Sequence, residues 1–248
     1  SAPRARSESE DTVRLPHSTR YPASIGLTRR LMNGDREEDQ AINRLAEKGQ
    51  ERRADENVAQ CLTVQHLFRQ VEKDLGELLI PHAASLSNLR RLIPSWRAVT
   101  AWLYWDSGET RLAKTQLTGF TNDAITTMNQ REVGGAGIAL LAEVAAFVGD
   151  EKQRHILLDM LLPLQDCFAV VGYSALYLGC FSRPAGLLAS SLGRHTEAVQ
   201  LLQRSVRYEK RTGATLWQAY SEIDLANAMI SGRLKPEDIN DAVQSARE

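Results

Sequence analysis

Cysteine is scarce in this 248-residue chain. Only Cys61, Cys167 and Cys180 occur, an odd number, far apart and among apolar neighbours. That excludes a dense disulfide framework and predicts buried free thiols in a reducing, cytoplasmic setting. No apolar run is long enough for a bilayer, which takes roughly 20 residues. The longest, Cys167 to Phe181, is closed off by Asp166 and Arg183 and reads as a buried segment. Charge of one sign is also missing: 30 Lys and Arg against 31 Asp and Glu give a net charge of −1, without general attraction to nucleic acid or an anionic membrane. Basic doublets at Arg29-Arg30, Arg52-Arg53, Arg90-Arg91 and Lys210-Arg211 are scattered and interleaved with acid, as on solvated helix faces.

Reactive motifs are absent too. There is no G-x-x-x-x-G-K-[ST] phosphate loop, and the "GGAG" at 134 runs into apolar residues, which predicts a helix start instead. His17, His66, His82, His155 and His195 form no i, i+4 pair and stand at no metal-ligand spacing from a cysteine, so neither a metal nor another cofactor is expected. His195 is placed in a solvated turn. Ser174 lies in "GYSALYLG", which is not G-x-S-x-G, and Ser182 before Arg183 and Pro184 reads as a helix cap. No catalytic residue is assigned, and the chain is expected not to be an enzyme. No compact basic helix-turn-helix follows Gly232.

What remains, 43% hydrophobic and 25% charged, is ordinary globular material. Residues 1–23 are rich in Ser, Pro, Arg and acid without an apolar period and read as a linker or tail; the start at Ser1 suggests an excised fragment. From 24 to 248 the periodicity predicts helices over 24–33, 35–48, 54–74, 77–92, 95–106, 109–120, 121–128, 136–148, 151–162, 174–179, 183–192, 196–212, 216–230 and 235–247. The class is all-α.

Glycine punctuates these helices. Gly34, Gly76, Gly108, Gly149, Gly193 and Gly232 are separated by 42, 32, 41, 44 and 39 residues, an average of about 40, which marks a solenoid of antiparallel helical hairpins. Gly193 fits the left-handed position past a helix end, with Thr196 and Glu197 opening the next helix. Gly186 and Ala198 stand seven before and five after it, and Ala101 and Ala113 keep the same offsets from Gly108. Small residues there let two helices approach closely, a tetratricopeptide-like arrangement. Gly149 keeps Ala142 upstream but has Arg154 downstream, so the array is degenerate. A helical bundle with glycine caps is the alternative.

Leu161 to Pro163, Leu192 to Arg194, Glu197 with Ala198, Thr212 to Ala214 and Trp217 form a pattern of "LLP", "LGR", "EA" and "TGA" followed by Trp. Over roughly residues 55–232 the chain resembles the carboxy-terminal tetratricopeptide-like region of bacterial ATPase-containing LuxR-type transcriptional regulators and of adenylate or guanylate cyclases. The resemblance implies a right-handed solenoid and a protein-interaction or sensor module of a signalling or transcription-regulatory protein. Its partner would be another domain of the parent, a separate protein or peptide, or a small effector, with no direct contact to nucleic acid or membrane and with homo-oligomerisation left open. A structural or oligomerisation arm without a ligand is the alternative.

If each turn glycine follows the first helix of a pair, residues six and three before it share a face. That selects Trp102 and Trp105, Glu143 and Ala146, and Leu187 and Ser190, with Asp106 and Arg183 flanking by family-like spacing. The candidate binding surface is Trp102, Trp105, Asp106, Glu143, Arg183, Leu187 and Ser190. Trp102 and Trp105 filling the core is the competing expectation.

Overall fold

The computed structural model describes residues 94–120, 134–171 and 176–233, together with Arg29, Met32 and Asn33. The expected linker at 1–23, most of the helices placed before 94, and those at 121–128 and 235–247 lie outside the described residues.

Seven α-helices dominate what is described: α1 Pro94–Asp106, α2 Thr110–Thr118, α3 Gly134–Val148, α4 Glu151–Leu161, α5 Ser182–Ser191, α6 His195–Thr212 and α7 Thr215–Ser231. A single 3-10 turn, Leu162–Leu164, extends α4. α1 packs on α2, α3 on α4 and α5 on α6, each pair joined by a short turn. The first helix of each pair also packs on the first helix of the next, α1 on α3 and α3 on α5, and α7 continues the row. The core lies between these layers, with Ala101, Ala113, Leu141, Leu157, Leu188, Ala198 and Leu202 fully buried.

The turns follow the local chemistry of the sequence. Gly193 adopts φ +74° just past α5, a conformation that side chains with a Cβ rarely take, and nothing lies near enough to block one sterically. Gly108 does the same past α1. At Gly186 the constraint is space instead: a Cβ would come within 2.6 Å of Leu202 Cγ and 3.3 Å of the Ala198 carbonyl oxygen, so α5 and α6 meet backbone to side chain. Asp150 caps α4, accepting from the Gln153 N–H at 2.7 Å while the Gln153 side chain accepts from the Asp150 N–H, a reciprocal box. Arg154, which replaces the expected small residue after Gly149, donates to the Ala145 carbonyl at 3.1 Å and the Ser191 carbonyl at 3.2 Å. It ties the ends of α3 and α5 together.

Several local expectations are corrected. Of the helix expected over 174–179, the described part, from Leu176 on, is instead a strand: β1 Phe168–Val171 pairs antiparallel with β2 Leu176–Cys180. The pairing shifts between Phe168↔Cys180 and Val170↔Tyr177, and Gly179 at φ +86° sits in that bulge. Cys180 is buried as expected, whereas Cys167, next to the exposed hairpin edge, is exposed; Cys61 lies outside the described residues. Ser182 does not cap α5: it begins that helix and turns its hydroxyl to Cys180 Sγ at 3.1 Å. Thr196 does not cap α6, which begins at His195 with no side-chain cap. His195 is half-buried in that first turn, its Nδ1 buried without a partner, rather than solvated.

Candidate functional site

Four side chains, one each from α1, α3, α5 and α7, join end to end. The Trp102 indole N–H on α1 donates to Glu143 Oε2 on α3 at 3.0 Å. Glu143 Oε1 accepts from Arg183 Nη1 on α5 at 2.7 Å, and Arg183 Nε donates to Asp224 Oδ2 on α7 at 2.8 Å. The partners are 41, 40 and 41 residues apart in sequence. The intervals are nearly constant and close to the mean glycine spacing of about 40 residues.

Burial sets the electrostatics of this ladder. Glu143 and Arg183 keep only 5% and 8% of their surfaces accessible. Burial pushes the carboxyl of Glu143 above its ordinary range, against the pull of Arg183 and the Trp102 hydrogen bond. Asp224 moves the same way, for the same reason, with Arg183 opposing. For Arg183 burial works against the charge, but Glu143 and Asp224 outweigh it and the guanidinium is held cationic. The ladder thus sets two carboxylates against one guanidinium. Tyr220 and Trp217 of α7 complete the surroundings, with ring centroids 5.3 and 6.0 Å from the guanidinium carbon.

A second row lies one helical turn further along. Trp105 of α1 is half-buried against the core and stacks on Phe147 of α3, with centroids 4.8 Å apart and planes at 24°. Phe147 is 53% exposed, an unusual setting for phenylalanine beside a well-packed helix pair. Trp105 and Phe147 occupy the last turns of their helices, and neither helix has a basic residue in that turn.

The structure therefore brings Trp102, Glu143 and Arg183 into one cluster and sets Trp105 beside it. Trp102 is core in burial, as the competing expectation had it, yet its indole is spent on Glu143. Asp106 is exposed directly after Trp105. Leu187 and Ser190 are half-buried on α5 and do not join the ladder. Asp224, Trp217, Tyr220 and Phe147 were not singled out for the site by the glycine count. The 41-residue interval would have found Asp224 from Arg183.

A third cluster fastens the hairpin. Glu209 on α6, fully buried, accepts from the backbone N–H of Cys180 at 2.6 Å and from the Tyr177 hydroxyl in a short hydrogen bond. Burial raises its pKa to about 7, although both donors and Arg183 oppose the rise. Burial and the facing carboxylate push Tyr177 upward, and burial pushes the Cys180 thiol upward. A Cβ on Gly179 would lie 3.1 Å from the Trp217 ring and 3.3 Å from Glu209, so the bulge sits against both.

Among the described residues no group of three or more His, Cys, Asp and Glu is placed to share a metal ion. No described helix is long and apolar enough to cross a membrane. Comparison with family models, with curated proteins and with solved structures returns no match.

Proposed function

We propose that this chain is a protein-interaction or sensor module, built as a right-handed solenoid of tetratricopeptide-like helix pairs, in a bacterial signalling or transcription-regulatory protein. The observation that carries the repeat reading is the ladder at intervals of 41, 40 and 41 residues, since a repeating unit returns equivalent positions to neighbouring places. The family placement rests on the resemblance of the "LLP", "LGR" and "TGA" motifs, and so does the expectation of an attached ATPase, cyclase or DNA-binding domain. In such an array the first helices line the concave side; α1, α3, α5 and α7 carry the ladder, and α1 and α3 carry the Trp105–Phe147 pair. The exposed ring of Phe147 favours a surface that receives a partner peptide or domain. No catalytic role, cofactor or nucleic-acid contact is assigned.

A structural arm is the second reading, favoured by a different feature: Trp102, Glu143 and Arg183 satisfy one another and leave little of the ladder open to a ligand. A photo-crosslinking residue placed at Phe147 in the intact parent protein separates the two. Adducts mapped to one defined segment, absent when the probe stands at exposed Arg207 on α6, support the interaction module. Identical adducts from both positions, or none from Phe147, support the arm.

A further inference from the structure

α7 differs from every other described helix in what it shows to solvent. The exposed positions of α2, α4 and α6 are all polar or charged, among them Lys114, Lys152, Gln200 and Arg207. α1, α3 and α5 expose only Asp106 and Phe147 among their described side chains. On α7, Ala219, Ile223, Ala226 and Ile230 are all exposed, the two isoleucines by 58% and 70%. Their spacing of four, three and four residues puts them on one face, opposite the one through which Trp217, Ser221, Leu225 and Ala228 enter the core. Half-buried Leu216 extends the stripe by a turn. A helix apolar on both sides is built to be covered on both. The charged side chains of α7 are Glu222 and Asp224, and Asp224 is already bound to Arg183. The stripe therefore offers a partner shape rather than charge.

We propose that α7 is the dimerisation helix of this chain, its outer stripe packing antiparallel on the same stripe of a second copy. The alternation of large and small residues makes the stripe complementary to itself. With the twofold axis passing between residues 224 and 225, Ile223 of one copy meets Ala226 of the other and Ile230 meets Ala219, so every isoleucine lies over an alanine. The two Glu222 side chains then start five residues apart along the axis, about 7.5 Å, rather than face to face. Parallel pairing would set isoleucine on isoleucine and alanine on alanine, and would bring together two C-terminal ends that carry no basic residue in the last turn. A contact of the antiparallel kind closes at two copies. It lies on a different helix from Phe147 and does not depend on the interaction-module reading.

Sedimentation of the full 248-residue chain over a range of concentrations tests this. A reversible equilibrium between monomer and dimer is expected. Ile223→Glu, at a position exposed in the single chain, should weaken the dimer at least about tenfold by burying unpaired carboxylates, and should leave the urea midpoint of the dilute monomer in place. Ile223→Ala puts alanine on alanine and Ala226→Ile puts isoleucine on isoleucine, so each should weaken the dimer about threefold or more. The double variant exchanges the two residues and should regain most of the wild-type affinity. A chain that stays monomeric overturns the proposal and leaves the stripe to a different partner. A dimer indifferent to Ile223→Glu, or a double variant no tighter than the single ones, overturns it as well. So does a fall in the dilute midpoint with Ile223→Glu, which would show the stripe covered from within the chain.

Discussion

Arg183 is the residue on which the ladder depends, because it answers one buried and one half-buried carboxylate from two edges of one planar group. Replacing it by methionine leaves buried Glu143 and half-buried Asp224 without this cation, a loss of about 3–5 kcal/mol. Lysine, a single point charge, cannot span both acids and should recover only part of it. Urea midpoints of the three proteins check this; equal midpoints for wild type and Arg183→Met would reject the ladder as a structural element. Glu209 offers a pH signature of its own. Its pKa is about 7 folded against an ordinary 4.5, so between those values the native state keeps a proton that the unfolded chain has lost. Stability should therefore fall as pH rises from about 4.5 to 7 and level off above, with a span of up to about 3 kcal/mol from this residue. Glu143 and Asp224 shift in the same direction, so the informative quantity is the difference between wild type and Glu209→Gln. That difference should carry a slope across the window, and parallel curves would show that Glu209 does not titrate there.

At the scale of helices and turns, close packing of α5 on α6 is the feature with the sharpest consequence. Ala198 is fully buried and its carbonyl lies against Gly186, so Ala198→Leu should cost about 1–3 kcal/mol through overpacking. Arg194→Ala, in the same turn but exposed and paired only with nearby Glu197, should stay within about 0.5 kcal/mol. Denaturation midpoints that move equally would remove the close-approach argument. These positions were legible in the sequence because a turn and its small residues are local signals. The hairpin was not: "ALYLG" has no period that separates strand from helix, and what holds it, Glu209, comes 29 residues after Cys180. Phe147 was passed over for a geometric reason. α1 ends two residues before Gly108, whose φ is positive, while α3 ends one residue before Gly149, which is not in that conformation. Counting three back from Gly149 lands on buried Ala146, one residue before Phe147. Trp102 and Glu143 survived the count, and Arg183 came from the family resemblance, but that these three would bond to one another needed the stacking of helices 40 residues apart.

At the scale of the described helices together, the ladder is expected to act as a specificity device more than as a source of stability. Substituting the three ionic members together, Glu143→Leu, Arg183→Met and Asp224→Leu, should destabilise less than Arg183→Met alone, since no charge is then left buried and unpaired. A triple variant no more stable than the single one would argue that the ionic bonds themselves sustain the fold. What the triple variant stands to lose is order. Helix pairs of similar length and packing could exchange neighbours, within one chain or between two copies, unless something distinguishes them. Seating α3 directly on α7 would bring Glu143 to Asp224, acid facing acid, and seating α1 on α5 would bring the Trp102 indole to Arg183, donor facing donor. The native succession alternates donor, acid, base and acid, so no two like groups meet. The row thus marks one class of misassembled array, that in which two like groups are left face to face.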